Sequence, residues 1–425
     1  MEPAAPRAAA TRERAVVWLV VAATAAALTA AFTARYGELN QATYLLDPLH
    51  RAMPELFRRD WLIGEVPPDL PTFGWLLQWL YAVDPEGPAA VLAANFVVTF
   101  ATYLAVYGLV TSVVRDRRGQ VFVIVASFVT VTMGRAMGGS YLFAGYLQPS
   151  SLATLGWIAA MAALVRGRYL ACGIVLALSG LLHVNFLVLG IGLFTLGALA
   201  RPGAGIRDLA RLLVPQLVVL ALYLPDLVGA ARPGAEAVHI LVAFHAPGHY
   251  DGRRLTSWIP ELFGWQLAGF AALPLVDGAI RQARALWRFS LMSFAVSVAT
   301  ALIVRIPAFE SLTQVRWSRM APFGQLACQV LVVAALIGQA SAPARSAWRR
   351  AWAAGAIAVA LVLNARALHT PWLVTVLVIA GVTAVFALPP GWARRAGGVL
   401  AVAAFAIALW ASPRGAGMTT APFAT

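Results

Sequence analysis

Apolar runs long enough to cross a hydrocarbon core of about 30 Å recur along almost the whole chain, separated by short connections that carry arginine. They fall near residues 15–33, 88–114, 119–133, 149–165, 169–183, 185–200, 207–225, 259–277, 288–304, 321–339, 351–365, 372–388 and 398–411. Inside lipid every backbone N–H and C=O must find a partner within the protein, and an α-helix supplies those partners within each segment. The pattern predicts an all-α, polytopic transmembrane helix bundle of about 13 helices. Residues 1–425 then form a single transmembrane domain.

Composition excludes the main competitor. Sixty per cent of the residues are hydrophobic and 12% are charged, whereas a soluble domain carries about 25% charged residues. All 32 basic residues are arginine and the net charge is +14. Because that charge is spread over short loops between apolar runs, it reads as membrane topology and not as a nucleic-acid surface. Cys172 and Cys328 both fall in apolar stretches, where a thiol behaves as a small hydrophobe.

Arginine accumulates in cytoplasmic loops, which gives the segmentation a test. With the amino terminus inside, the cytoplasmic connections hold Arg12 and Arg14, Arg115 and Arg117, Arg166 and Arg168, Arg201 and Arg207, Arg281 and Arg284, Arg345 and Arg349, then Arg394 and Arg395. Every alternate loop is basic. The amino terminus is thus expected in the cytoplasm and the carboxyl terminus outside. The first apolar run exceeds the 7–15 residues typical of a signal-peptide core, so it is expected to remain as a helix.

The largest segment outside the membrane spans residues 34–87, the first extracytoplasmic loop, and holds eight of the eighteen acids. Leu45, Leu46, Leu49, Met53, Leu56 and Phe57 recur there at helical spacing opposite Asp47, Arg51, Glu55 and Arg58, as in an interfacial amphipathic helix. Trp75, Leu76, Trp79 and Leu80 form a second stripe; Trp61, Trp75, Trp79 and Tyr81 suit the headgroup layer. Glu38 stands close behind the first span, where partial desolvation favours a general base. Asp60 follows Arg58 and Arg59. The structural alternative for most of these acids is a solvated helix face, and for Asp60 an ion pair that anchors the loop.

Residues 169–200 lie between two basic loops assigned to the same side, so the chain must go out and return. Two helices of that size reach only about 24 Å each. The turn His183-Val184-Asn185 is therefore expected below the outer surface, where polar backbone is tolerated only inside protein or against a wet cavity. Arg135, Arg253, Arg254, Arg305, Arg316 and Arg319 fall on the side that basic residues avoid, and phosphate recognition by fork-shaped donors is one reason to retain them. Arg316 and Arg319 are three apart and are expected to share a helical face, with interfacial anchoring beside Trp317 as the alternative. His245, His249 and Asp251 offer a weak metal pattern in a Pro-Gly loop. No glycine-rich phosphate loop, nucleophile elbow or cysteine ligand set is present in the sequence, so nucleotide hydrolysis and serine-type catalysis have no support.

This order of parts resembles the GT-C superfamily of integral-membrane glycosyltransferases, which includes the protein mannosyltransferases and the aminoarabinose transferases. The likeness covers roughly the first two hundred residues. The stretch from Asn40-Gln41 to Asp60-Trp61 is also similar to a group of bacterial membrane proteins related to that superfamily. The resemblance implies a polyprenyl-phosphate-linked sugar donor, an acceptor hydroxyl, and chemistry on the extracytoplasmic side of a bacterial cytoplasmic (inner) membrane. It implies an inverting transfer with Glu38, Asp60 or Asp47 as the base, Arg135, Arg316 and Arg319 facing the leaving phosphate, and His183 and Asn185 lining the donor cavity. A divalent metal stays open as a cofactor; a nucleotide does not. Glu38 lacks the neighbouring second acid that GT-C enzymes often carry. A transporter or flippase for a lipid-linked or polar solute, and a non-catalytic GT-C-like scaffold, remain alternatives.

Overall fold

The computed structural model of the chain describes residues 5–32, 36–37, 40–55, 71–85, 88–114, 137, 142–229, 234–240, 242, 250–276, 279–306, 309, 312 and 315–341. All regular structure among them is helical: α1 (Ala5–Phe32), α2 (Asn40–Ala52), α3 (Pro71–Val83), α4 (Ala89–Val110), α5 (Pro149–Val165), α6 (Tyr169–Leu182), α7 (Val184–Leu199), α8 (Ile206–Gly229), α9 (Ala235–Ile240), α10 (Gly252–Thr256), α11 (Ile259–Ala272), α12 (Ile280–Ile303) and α13 (Ala321–Ser341). Three stretches, Ala89–Val110, Ile206–Pro225 and Ile280–Ile303, are long and apolar enough to cross a bilayer, and α5, α6 and α7 are shorter apolar helices. Leu170, Ile174 and Leu178 on α6, and Val214, Leu217 and Val218 on α8, are exposed. Such stripes are costly against water and natural against lipid. The chain is an all-α, multi-pass membrane bundle. The spans expected near 119–133, 351–365, 372–388 and 398–411 lie outside the described residues.

Side-chain contacts fix which helix ends lie together. Arg166 Nη2 donates to Gly108 O at 2.5 Å and Thr111 Oγ1 at 2.8 Å, Arg201 Nη1 donates to Leu164 O at 2.5 Å, and Arg288 Nη1 donates to Ala200 O at 2.9 Å. Three arginines thus cap the carbonyl ends of α4, α5 and α7, groups that have no partner within their own helices. Cationic guanidinium also suits the negative end of a helix dipole. These three basic connections therefore gather at one end of the bundle.

The hairpin α6–α7 begins and ends there. Arg201 stacks 5.8 Å from the Tyr169 ring, and a Cβ on Gly190 would sit 3.6 Å from Leu176, so the two helices run side by side in opposite directions. Non-helical backbone is confined to one residue, His183, at φ −158° and ψ 98°. The expected three-residue turn is shorter because Val184 and Asn185 already belong to α7. Gly173 lets α6 meet α8 backbone to backbone, since a Cβ there would stand 2.4 Å from Leu212 O. Small residues at such crossings are how membrane helices gain dispersion energy without water to drive them together.

The core centres on Trp157 of α5. Its ring lies 5.1 Å from Phe186, 5.3 Å from Phe194 and 4.6 Å from Phe323, joining α5, α7 and α13. Hydrogen bonds lace α11, α12 and α13: Gln266 Nε2 donates to Ser290 Oγ at 2.6 Å, which donates to Gly324 O at 2.7 Å, and Ser293 Oγ donates to Met320 O at 2.8 Å. Each satisfies a polar group that would otherwise be stranded in an apolar interior.

The helices of the 34–87 segment pack differently from the expectation in one respect. Phe73, Leu77 and Tyr81, spaced by four, form the buried face of α3 against Leu45 of α2, Val91 of α4 and Leu147. Trp75 and Trp79 are 64% and 68% exposed on the other face, whereas Tyr81 is 2% exposed. Tyr81 thus belongs to the protein interior and not to the headgroup layer: the 3.6-residue period carries it opposite the tryptophans. Its hydroxyl meets that of Tyr36 at 2.9 Å. Burial, and secondarily that contact, push the Tyr81 phenol above the ordinary tyrosine range.

Candidate functional site

The end of the bundle opposite the capping arginines is built around His183. This residue closes α6 and opens α7 together: its N–H donates to Ser179 O at 3.0 Å, and its carbonyl accepts from Phe186 N at 2.9 Å. The single extended residue aims the imidazole at the segment that precedes α13. There Arg319 Nη1 lies 2.7 Å from His183 Nε2. The arginine side chain also lies over the Phe186 ring at 5.8 Å, a favourable placement for a cation on an aromatic face. Two residues along, Asn185 Nδ2 donates to Val315 O at 2.8 Å. The tip of the hairpin is thereby tied to the turn Val315–Arg319.

Arg316 belongs to the same turn but faces elsewhere. It sits in the left-handed region, φ 51° and ψ 50°, as the cap of a 3-10 turn over Trp317–Met320. Its Nε donates to the Tyr250 hydroxyl, and its guanidinium lies 5.0 Å from that ring's centre. The expected shared helical face of Arg316 and Arg319 is not formed. The left-handed backbone at Arg316 lies outside the turn that carries Arg319, so the two side chains do not line up as i and i+3 would within one continuous helix. Among the described non-glycine residues Arg316 alone has positive φ, a conformation that costs of order 1–3 kcal/mol unless its surroundings hold it. Beneath it is a small cavity lined by Leu255, Ser297, Thr300, Val304, Arg316 and Ser318.

The acids expected to act there are placed unevenly. Glu38, Asp60 and Arg135 lie outside the described residues, as do His245 and His249. The neighbours of Glu38 are well anchored. Gly37 N donates to Gln41 Oε1 at 2.7 Å, and buried Gln41 donates from Nε2 to Leu147 O at 3.1 Å. Asp47 is half-buried on α2 and pairs with Arg51 at 3.1 Å, four residues on, the helix-surface pair that its spacing allows. Asp251 caps α10, accepting from Arg253 N at 2.8 Å. Among the described residues no group of three or more His, Cys, Asp and Glu side chains is gathered to hold a metal ion.

Two participants were not singled out from the sequence. Tyr250 seats Arg316. Glu261, in the first turn of α11, is buried, and its Oε1 accepts from Gln325 Nε2 at 3.5 Å. A glutamate written inside an apolar run is itself the signal by which the sequence marks it. No protein family, no curated protein and no solved structure matches the chain.

Proposed function

We propose that this protein transfers a sugar from a polyprenyl-phosphate carrier to an acceptor hydroxyl, at the end of the bundle where His183 and Arg319 meet. The observation that supports the reading is that contact. It brings a polar break between two membrane helices against a guanidinium contributed from far along the chain, beside a second arginine in the same turn.

In this reaction the acceptor oxygen attacks the anomeric carbon as the bond from that carbon to the phosphate oxygen breaks. The electron pair leaves on polyprenyl phosphate. The acceptor proton passes to a carboxylate of the 34–87 loop, Glu38 or Asp60 before Asp47, because Asp47 is engaged with Arg51. Arg319 and Arg316 offset the charge developing on the departing phosphate, and Arg135 is the third basic residue assigned that role. A single displacement inverts the anomeric centre. A lipid-borne leaving group accounts for a site at the membrane surface remote from nucleotides, on the extracytoplasmic side of a bacterial inner membrane.

The test is release of polyprenyl phosphate by purified protein in lipid nanodiscs, offered a panel of polyprenyl-phosphate hexoses with a glycan or lipid acceptor. Glu38→Gln or Asp60→Asn is expected to slow release by at least about a hundredfold. Transport of intact donor across sealed vesicles without any covalent product would replace this reading with a flippase.

A further inference from the structure

The contacts of His183 and Asn185 leave a matched donor and acceptor exposed to the interior and to nothing else. Arginine can only donate, so the nitrogen facing Arg319, Nε2, is the acceptor. The ring proton therefore sits on Nδ1. That Nδ1 is buried and has no hydrogen-bond partner among the described residues, in a residue 8% exposed. The amide of Asn185 is oriented by the same logic. Only its nitrogen can donate to the Val315 carbonyl, which turns Oδ1 away, and that oxygen too is buried without a partner among the described residues. Orphaned buried polar atoms are rare in proteins and call for a reason. Several such atoms occur among the described residues, and two of them, one donor and one acceptor, fall within three residues at the one break in a membrane hairpin.

A phosphate offers only acceptors and would satisfy the imidazole N–H while repelling the amide oxygen. A cation would satisfy the amide and repel the N–H. A hydroxyl group both donates and accepts, and a sugar carries several. We propose that the α6–α7 break is a sugar-hydroxyl subsite, in which His183 Nδ1–H donates to, and Asn185 Oδ1 accepts from, hydroxyl groups of the lipid-linked glycosyl unit. The assignment rests on the transferase reading for the identity of that ligand, and divides the labour of the site. Arg319 and Arg316 face the phosphate, while His183 and Asn185 read the sugar. Both atoms are closed off in this structure, so the ligand reaches them when the turn Val315–Arg319 shifts. Arg316, held in the left-handed region at φ 51°, is the residue whose relaxation such a shift would use.

The experiment compares binding of polyprenyl-phosphate glucose, polyprenyl-phosphate mannose and bare polyprenyl phosphate to the full chain in nanodiscs. At least one sugar-bearing lipid is expected to bind about tenfold or more tighter than the bare lipid phosphate. His183→Phe, which keeps an aromatic ring and loses both nitrogens, is expected to collapse that ratio toward one; His183→Gln, which keeps an acceptor for Arg319 and a donor, is expected to restore part of it. In wild-type protein labelled with 15N-histidine, the His183 Nδ1 resonance is expected to move with the sugar-bearing lipid and not with the bare one. This measurement needs no variant to fold. Equal binding of all three lipids, a ratio unchanged in His183→Phe, or an Nδ1 signal indifferent to the sugar would each overturn the subsite. A sugar preference without release of polyprenyl phosphate keeps the subsite and removes the transferase. Release with the preference intact in His183→Phe does the reverse.

Discussion

Arg319 reaches back across 136 residues of sequence to place its guanidinium 2.7 Å from the imidazole of His183. The contact ties the one-residue break between α6 and α7 to the turn that leads into α13. It also decides the chemistry of both partners. The arginine is oriented, and the imidazole keeps its proton on the far nitrogen.

Removing the arginine strands a buried acceptor. Arg319→Ala is expected to destabilise the protein by about 1–3 kcal/mol, the cost of an unsatisfied buried polar group, and to slow release of polyprenyl phosphate. Arg319→Lys retains a charge without the planar fork and should recover stability better than turnover. Thermal unfolding in detergent together with the release assay reads both. An alanine variant as stable and as active as wild type would remove Arg319 from the site.

Two glycines separate packing from propensity. At Gly173 an added Cβ would stand 2.4 Å from Leu212 O and 2.8 Å from Arg211 O, whereas at Gly192 it would meet nothing within 4 Å. Gly173→Ala must therefore part α6 from α8 and is expected to cost about 1–3 kcal/mol. Gly192→Ala is expected to be neutral or to stabilise α7 by up to about 1 kcal/mol. Thermal melts showing the two substitutions to be equivalent would mean that α6 and α8 do not touch at Gly173.

Glu261 offers a control for the catalytic assignment. It makes no ion pair among the described residues and one long contact with Gln325. Glu261→Gln keeps the shape and much of the hydrogen-bonding capacity while removing a buried ionisable group, so stability should hold or rise and turnover should stay within a few-fold, about threefold. Glu38→Gln or Asp60→Asn in the same assay should be nearly silent in product. The opposite pattern would move the general base from the 34–87 loop to α11.

The Tyr36–Tyr81 pair predicts a pH dependence. The folded-state phenol of Tyr81 is raised, through burial first and the Tyr36 hydroxyl second. A group whose native pKa lies above its unfolded value contributes fully below the unfolded value, about 10 for tyrosine, and that contribution is lost as pH climbs beyond it. Melting temperature is expected to fall from about pH 10 upward. Tyr81→Phe, which has no proton to lose, should be less stable near neutrality and should fall less steeply. Parallel curves for the two proteins would show that Tyr81 is not buried with its proton.

Much of the architecture is legible in the sequence because lipid imposes it. The span lengths follow from bilayer thickness, and the return of α6–α7 to its starting end follows from the two basic loops that bracket it. What the sequence conceals is which side of each helix turns inward. In a soluble protein the apolar face marks the core; here Leu170 and Trp157 are both apolar, yet one is exposed and the other fully buried. Hydrophobicity carries no contrast between lipid and interior, so only shape and small residues distinguish the faces. The divergence of Arg316 and Arg319 is hidden for another reason. Nothing local marks Arg316 for the left-handed region, and the residues that hold the turn Val315–Arg319, namely Tyr250, His183 and Asn185, come from distant segments.

Membrane orientation supplies a last prediction. The connection at Gly203 follows Arg201, whose guanidinium caps α5, and so belongs to the end of the bundle where Arg166 and Arg288 also cap helices. Ser257 follows α10, whose Leu255 packs with Val304 at the far end of α12. The two positions should therefore lie on opposite sides of the membrane. The native thiols Cys172 and Cys328 are both buried, which keeps the background of a cysteine-labelling experiment low. In intact cells an impermeant maleimide is expected to modify Ser257→Cys and to spare Gly203→Cys until the membrane is opened, as the arginine rule requires. Labelling of both from outside would break the hairpin topology itself. Labelling of Gly203→Cys alone would keep the fold, invert it in the membrane, and place the His183–Arg319 site on the cytoplasmic side, where a polyprenyl-phosphate donor loses its rationale.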